Sequence, residues 1–199
     1  MSSKGIILSL AVSFVCLLTS AQDKPPVKFG NVSEKDFAVK IYPIDSNAQA
    51  VVIADIGTTY MEGNNKNSIS VITKHYRRVH ILNKNAFDVA SESISFYKSG
   101  DVEEELDKLK AVTYNLENGK VVETKLDTKN GVFKEVVNRN RFIKKFTLPN
   151  IKEGSIIEYE YTVRSDFFTQ LDPWLFQGPY PVLWSEYNLE LPEFLGFTF

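Results

Sequence analysis

A regular alternation of apolar and polar side chains limits the fold of this chain more than any other sequence feature. Within Ser155–Arg164, four large apolar or aromatic groups fall on one side of an extended chain, while the other side includes Glu158 and Glu160. The apolar set is Ile157, Tyr159, Tyr161 and Val163. Because successive side chains of a strand point to opposite faces, this period of two predicts a sheet with one buried and one wetter face. Tyr187–Leu191 repeats the pattern.

A tight hairpin is predicted at Asn118-Gly119. Two β-rich runs, Ala111–Tyr114 and Val121–Thr124, flank this dipeptide. Asn-Gly tolerates positive φ at both central positions of a two-residue turn, which is what closely paired strands require.

Further strand-like segments extend the same pattern along the chain. They are Ser68–Leu82, Ser91–Tyr97 and Phe142–Leu148. Only one helix is predicted, near Asp36–Val39, because Ser33 and Asp36 have the spacing of a capping box and Pro43 would end the helix. Many short strands with little helix predict a mainly β fold: an antiparallel β-sandwich with one short N-terminal helix, forming a single domain over residues 31–199.

The N-terminus has the pattern of a secretory signal peptide. An apolar run, Gly5–Leu18, follows Lys4 and leads into the small residues Thr19-Ser20-Ala21. This predicts a signal peptide over residues 1–21 with cleavage after Ala21, and then a flexible leader over residues 22–30. The run is shorter than the ~20 residues that cross a bilayer, so we expect no membrane span in the mature chain. The protein is then exported, to the periplasm, the cell surface or the medium; an uncleaved anchor and an acylated Cys16 remain alternatives.

Composition narrows the classes of function. The formal charge is −2 and 43% of residues are hydrophobic, typical of a globular protein and without long-range attraction for nucleic acid. The single cysteine, Cys16, lies in the predicted signal peptide, so the mature chain would have no thiol for disulfides, metal sites or catalysis. No phosphate-binding glycine loop and no His-Glu-x-x-His motif occurs, and we expect neither a cofactor nor a metal.

The isolated ionisable residues are interpreted as structural. His75 and His80 are an odd number of residues apart, so they point to opposite faces of a strand, cannot share a metal, and are expected to be half-exposed. Glu158 and Glu160 lie roughly 6.6 to 6.8 Å apart along a strand, a spacing that would suit a glycosidase pair, but the same spacing occurs in every alternating strand. We expect both glutamates on a solvated face. The acidic run Asp101–Asp107 is interpreted as a solvated loop.

An aromatic cluster in the last quarter of the chain is the strongest candidate for binding. It consists of Trp174, Phe176, Tyr180 and Trp184. Exposed aromatic rings stack on sugars or form docking faces for other domains. The competing interpretation is a core cluster, because prolines at 173, 179 and 181 break the segment into extended turns. Trp174, Tyr180 and Trp184 are the candidate binding residues.

Three segments taken together resemble a known family. They are residues 111–124, 146–159 and 174–185, which include Asn118-Gly119, Pro149–Gly154 and the two tryptophans. They resemble an uncharacterised β-rich domain of unknown function that is found at the N-terminus of exported bacterial proteins, ahead of transglutaminase-like cores. The resemblance runs from about Phe29 to the end of the chain, and the family has no established catalytic residues to assign here.

The resemblance implies an accessory role. Transglutaminase-like cores use a Cys-His-Asp triad, and this chain has no counterpart of that core. The apolar end, Phe194–Phe199, has the pattern of a strand without a partner, so we expect a chain truncated before its core. The function expected is a non-catalytic module that packs against, or presents substrate to, the downstream core. The alternative is a stand-alone module for cell-surface glycan or protein, and a carboxylate-based glycosidase ranks last.

Overall fold

Ten β-strands in two sheets dominate a computed structural model that describes residue 25 and residues 27–66, 68–167 and 171–192. The strands are β1 (Ala50–Gly63), β2 (Ile69–Ile81), β3 (Ser91–Ser99), β4 (Val102–Glu103), β5 (Glu105–Glu117), β6 (Lys120–Lys125), β7 (Val132–Asn138), β8 (Arg141–Thr147), β9 (Ile156–Ser165) and β10 (Ser185–Glu190). Two 3₁₀ helices accompany them, Glu34–Ala38 and Lys84–Ala90. The predicted signal peptide and residues 194–199 lie outside the described residues.

The two sheets form a sandwich, which confirms the predicted fold class. The larger sheet has the order β10-β1-β2-β9-β5-β6 and the smaller has the order β4-β3-β8-β7. Neighbouring strands are antiparallel except β1 and β10, which run parallel with Asp55 opposite Ser185. A long connection, residues 166–184, separates β9 from β10 along the chain.

The hairpin predicted at Asn118-Gly119 is confirmed between β5 and β6. Asn118 has φ 51° and Gly119 has φ 75°, so both central residues are in the left-handed region that the turn requires. Glu117 and Lys120 close the ladder on either side of the turn. The strands predicted from Ser68, Ser91, Phe142 and Ser155 are also present, each with bounds within about two residues.

The main core lies between the sheets and contains the apolar side that the alternation predicted. Phe96 of β3 stacks on Phe142 of β8 with ring centroids 5.0 Å apart. Phe146 packs edge-on against Tyr159 of β9 at 5.7 Å. Each fully buried side chain of this size contributes roughly 1.5–3 kcal/mol relative to exposure, so this layer holds the two sheets together.

The outer face of the larger sheet is covered by the N-terminal segment. Phe37 packs there with Val112, Tyr114 and Ile156 in a second apolar cluster. Phe29, in the segment expected to be a flexible leader, also packs on this cluster. This part of the predicted leader is therefore docked on the sheet.

The N-terminal helix is a 3₁₀ helix over Glu34–Ala38, so it begins two residues before the predicted Asp36–Val39 segment and ends one residue before its end. The predicted capping box is present, because Asp36 Oδ2 accepts hydrogen bonds from the Ser33 amide at 2.7 Å and the Ser33 hydroxyl at 2.8 Å. The second 3₁₀ helix was not predicted.

Candidate functional site

A cleft of about 620 Å³ opens between the two sheets, beside the segment formed by residues 171–179. Its floor comes from β1, β2 and β9 of the larger sheet, and one side comes from the exposed edge of β3 in the smaller sheet. The volume lies in the usual range for small-ligand sites. This cleft is the candidate functional site.

Three adjacent strands bring Asp55, His75 and Tyr161 together on the cleft floor. His75 Nε2 lies 2.5 Å from Asp55 Oδ1, and His75 Nδ1 lies 2.8 Å from the Tyr161 hydroxyl oxygen. Because a carboxylate only accepts, Nε2 donates to Asp55, while Nδ1 and the tyrosine hydroxyl share the second hydrogen bond. The result is a chain of hydrogen bonds that joins Tyr161, His75 and Asp55.

A second polar group lies beside this chain of hydrogen bonds. Tyr159 donates a hydrogen bond to Glu92 Oε2 of β3, which links the two sheets through polar groups. Arg77 Nε is 3.6 Å from Asp55 Oδ2. Burial raises the pKa of Tyr159 and Tyr161, and the negative charge of Glu92 raises both further. Both phenols therefore stay protonated at neutral pH and are available as hydrogen-bond donors.

Trp174 forms the outer wall of the cleft, and Gly57 of β1 makes room for it. The indole stacks on Tyr187 with ring centroids 5.3 Å apart and meets the His75 ring edge-on at 5.1 Å. Its Nε1 donates to Ser185 Oγ at 3.2 Å. A Cβ at position 57 would lie 2.6 Å from Trp174 Cζ3, so only glycine allows the ring to lie against the strand.

The other members of the predicted aromatic cluster lie elsewhere. Tyr180 donates to Asp88 Oδ1 at 2.8 Å and packs on the main core. Trp184 donates to Glu186 Oε2 at 2.9 Å, two residues along the same chain segment. Phe176 is exposed. The structure therefore places Trp174 in the cleft and does not bring Tyr180 or Trp184 to it.

Sequence reasoning missed most of the cleft residues. Asp55, Gly57 and Glu92 were not singled out, because they come from strands far apart in the chain. One signal was available: a glycine inside the β-rich run of β1 indicates a place where another group approaches the backbone closely.

The prediction that Glu158 lies on a solvated face is wrong. Its side chain is fully buried and forms an ion pair with Arg78. It also accepts hydrogen bonds from the Tyr76 hydroxyl at 2.6 Å, the Tyr114 hydroxyl at 3.0 Å and the Gly30 amide at 2.9 Å. The N-terminal segment covers this face, which the alternation could not reveal. Glu160 is on the predicted solvated side, paired with Lys110.

The prediction that both histidines are half-exposed is wrong for His80. This residue is fully buried, and its Nδ1 lies 2.8 Å from the Tyr42 hydroxyl oxygen. Burial, with a smaller contribution from the charge of Lys40, lowers the pKa of His80 to about 4. His75 lies on the opposite face of β2, as its spacing from His80 predicted.

The remaining candidates form no obvious chemical site. Across the described ranges, no group of three or more His, Cys, Asp or Glu side chains is arranged to hold a metal ion. The acidic run Asp101–Asp107 forms β4 and the start of β5, with Glu103 paired to Lys134. None of the helices in the part of the chain that the structure describes has the length and apolar character needed to cross a membrane.

Comparison with known proteins identifies the family. A search of curated proteins finds no match. Among solved structures, the chain is similar to a crystal structure described as that of a "putative protease" from Parabacteroides distasonis, with a TM-score of 0.43 and 11% sequence identity. That match covers 59% of this chain and 23% of the other. Residues 67–199 match the family described as a domain of unknown function with a solved structure, DUF3857. The chain belongs to the DUF3857 family.

Proposed function

We propose that this chain is the non-catalytic N-terminal module of an exported bacterial transglutaminase-like protein, and that it packs against a downstream catalytic core. The family assignment and the sequence resemblance support this proposal. Its structural support is an exposed apolar patch on the segment that carries Trp174.

The patch consists of Leu175 and Phe176, whose side chains are 77% and 55% exposed. They follow Trp174, which is held in the cleft by Tyr187 and Ser185. The two apolar side chains are thus presented outward from a fixed point. Contiguous exposed apolar groups mark interaction surfaces. A domain on the same chain has a high effective concentration, which lowers the intrinsic affinity that such a patch has to provide.

The test begins with the coding sequence beyond the Phe199 codon. An open frame that encodes a Cys-His-Asp core is expected, and an immediate stop codon would contradict the proposal. In the full-length protein, the Leu175→Ser, Phe176→Ser double variant should increase proteolysis between the module and the core and speed hydrogen exchange at their interface.

The matched control is the Phe133→Ser, Val136→Ser double variant of β7. These residues are 65% and 66% exposed, so the variant replaces two exposed apolar side chains by serine at another site. Equal effects of the two double variants would contradict docking through the patch. Hydrolysis of peptide amides by this chain alone would contradict its non-catalytic role.

A second candidate function is a stand-alone module that binds cell-surface glycan or protein, and the cleft favours it. An aromatic wall, Trp174 and Tyr187, faces fixed donors and acceptors such as Arg77 and Asp55. Trp174→Ala should weaken ligand binding while the two-sheet fold persists. Loss of the folded state in this variant would assign Trp174 to a purely structural role.

A further inference from the structure

We propose that the cleft binds an extended, basic polypeptide segment, which adds as a strand to the free edge of β3. This inference deepens the second candidate function, because it names the class of ligand and its mode of binding. It does not depend on docking through Leu175 and Phe176.

The hydrogen-bonding pattern of β3 defines which backbone groups are directed away from β8. At the two ends of the ladder, the Leu148 amide donates to the Ala90 carbonyl and the Lys98 amide donates to the Asn140 carbonyl, each at 2.9 Å. Even-numbered residues therefore bond to β8, and odd-numbered residues direct their amides and carbonyls to the opposite edge. That edge is already paired from Tyr97 onward, where the Glu104 amide donates to the Tyr97 carbonyl at 3.0 Å and Lys98 and Ser99 pair with β4.

Side-chain carboxylates occupy two positions along this edge where a neighbouring strand would place carbonyl oxygens. The Ser93 amide donates to Glu92 Oε1 at 3.1 Å, and the Tyr97 amide donates to Glu104 Oε2 at 2.6 Å. Between them, the Ser95 amide and the Ser93 carbonyl have no hydrogen-bond partner among residues 27–66, 68–167 and 171–192. An incoming strand would bond to Ser93 and Ser95 and replace the Glu92 carboxylate at the Ser93 amide, beside the part of the edge that Glu104 already occupies.

The space beside this edge is the cleft itself. Four consecutive residues, Glu92–Ser95, line it on one side, and Leu171–Leu175 lines it on the other. Both even- and odd-numbered residues of β3 line the cleft, although their side chains point to opposite faces of the sheet. The cleft therefore lies beside the backbone edge of β3. A strand placed there would run between β3 and the segment that carries Trp174.

The charge of the cleft lining favours a basic strand as the ligand. The cleft is lined by four carboxylates and two guanidinium groups: Asp55, Glu92, Glu104, Asp172, Arg77 and Arg141. Arg77 already lies beside Asp55, which leaves the remaining lining predominantly acidic. Lysine or arginine side chains on an added strand would meet Glu92, once it releases the Ser93 amide, and the neighbouring Glu104.

The test uses the full chain and a fluorescent peptide in which lysine and valine alternate over about seven residues, the length of a short strand. Fluorescence anisotropy measures binding. Ser95→Pro removes the free amide, at an edge position where proline is tolerated, and Ser95→Ala is the matched control that keeps this amide. Binding should weaken at least about tenfold in Ser95→Pro and change by less than about twofold in Ser95→Ala.

Two further readouts do not depend on how the proline variant folds. The Ser95 amide of the unmodified chain should exchange with solvent more slowly when the lysine peptide is added. The same peptide with glutamate in place of lysine, or with alternate backbone amides methylated, should bind at least about tenfold more weakly.

Several outcomes would overturn the inference. One is no binding of the lysine peptide up to about 1 mM, and another is unchanged exchange at Ser95 with the peptide bound. Binding that Trp174→Ala weakens but Ser95→Pro does not would keep a binding cleft and reject strand addition. Slow Ser95 exchange without peptide in a self-associated chain would mean that a second copy occupies the edge.

Discussion

The buried carboxylate of Glu158 allows a sharp prediction about stability. It lies on β9 and accepts hydrogen bonds from Arg78, Tyr76, Tyr114 and the Gly30 amide. We predict that Glu158→Gln lowers the free energy of unfolding by about 3–5 kcal/mol, because breaking a buried ion pair leaves the remaining charge uncompensated.

The size of this decrease follows from the loss of the carboxylate that pairs with Arg78. Its guanidinium is almost fully buried, and its other contacts are neutral carbonyls, Lys28 O and Asn31 O, each at 3.0 Å. Glutamine keeps one oxygen acceptor but removes the only carboxylate that pairs with Arg78 among the described residues. Small domains unfold with a total free energy of about 5–15 kcal/mol, so the loss would be a large share of the stability.

Glu160→Gln provides a matched control on the same strand and the same face. The Lys110 side chain that pairs with Glu160 is 65% exposed, and exposed pairs contribute about 0–1 kcal/mol. Urea denaturation of the chain and both variants gives the free energies, and equal slopes confirm that the unfolding transitions are comparable. A difference of less than about 1 kcal/mol between the two variants would refute the assignment of Glu158 as a buried charge with an essential partner.

Two more predictions follow from Gly57 and His80. Gly57→Ala should displace Trp174 and lower the free energy of unfolding by about 1–3 kcal/mol through overpacking. In the control Gly63→Ala on the same strand, the added Cβ meets no atom within 4 Å, so the loss should be less than about 1 kcal/mol. Urea denaturation distinguishes the two variants. The pKa of His80 is lowered to about 4 in the folded chain, so below about pH 6.5 the unfolded chain binds a proton that the folded chain does not. The free energy of unfolding should therefore decrease between pH 6.5 and 4, by up to about 3 kcal/mol. His80→Gln should flatten that dependence, and an unchanged slope would contradict it.

Local sequence chemistry explains the parts of the fold that could be predicted. The Asn118-Gly119 turn requires a backbone conformation that few other dipeptides adopt, and the alternation around Tyr159 requires a strand with one apolar face. Both signals act over a few residues. Neither says what covers the other face, which is why Glu158 was expected in water and is instead buried beneath Phe29 and its neighbours.

The cleft could not be predicted for a different reason. Asp55, His75 and Tyr161 are brought together by the pairing of β1 with β2 and of β2 with β9, and the registers of these pairs are not visible in any single segment. The two tryptophans contact opposite faces of β10. Trp174 stacks on Tyr187, which faces the cleft, whereas Trp184 bonds to Glu186, whose side chain points to the other face.

The structural unit begins well before residue 67, where the family match starts. Strand β1 lies between β10 and β2 in the larger sheet, and without it β10 would have no partner strand among the described residues. The same strand supplies Asp55 to the cleft and Gly57 to the Trp174 contact. The segment before β1 also carries Gly30, whose amide bonds to Glu158. A fragment cut at residue 67 would therefore lose part of the cleft floor and expose a buried ion pair, so any binding assay has to include the preceding strand and N-terminal segment.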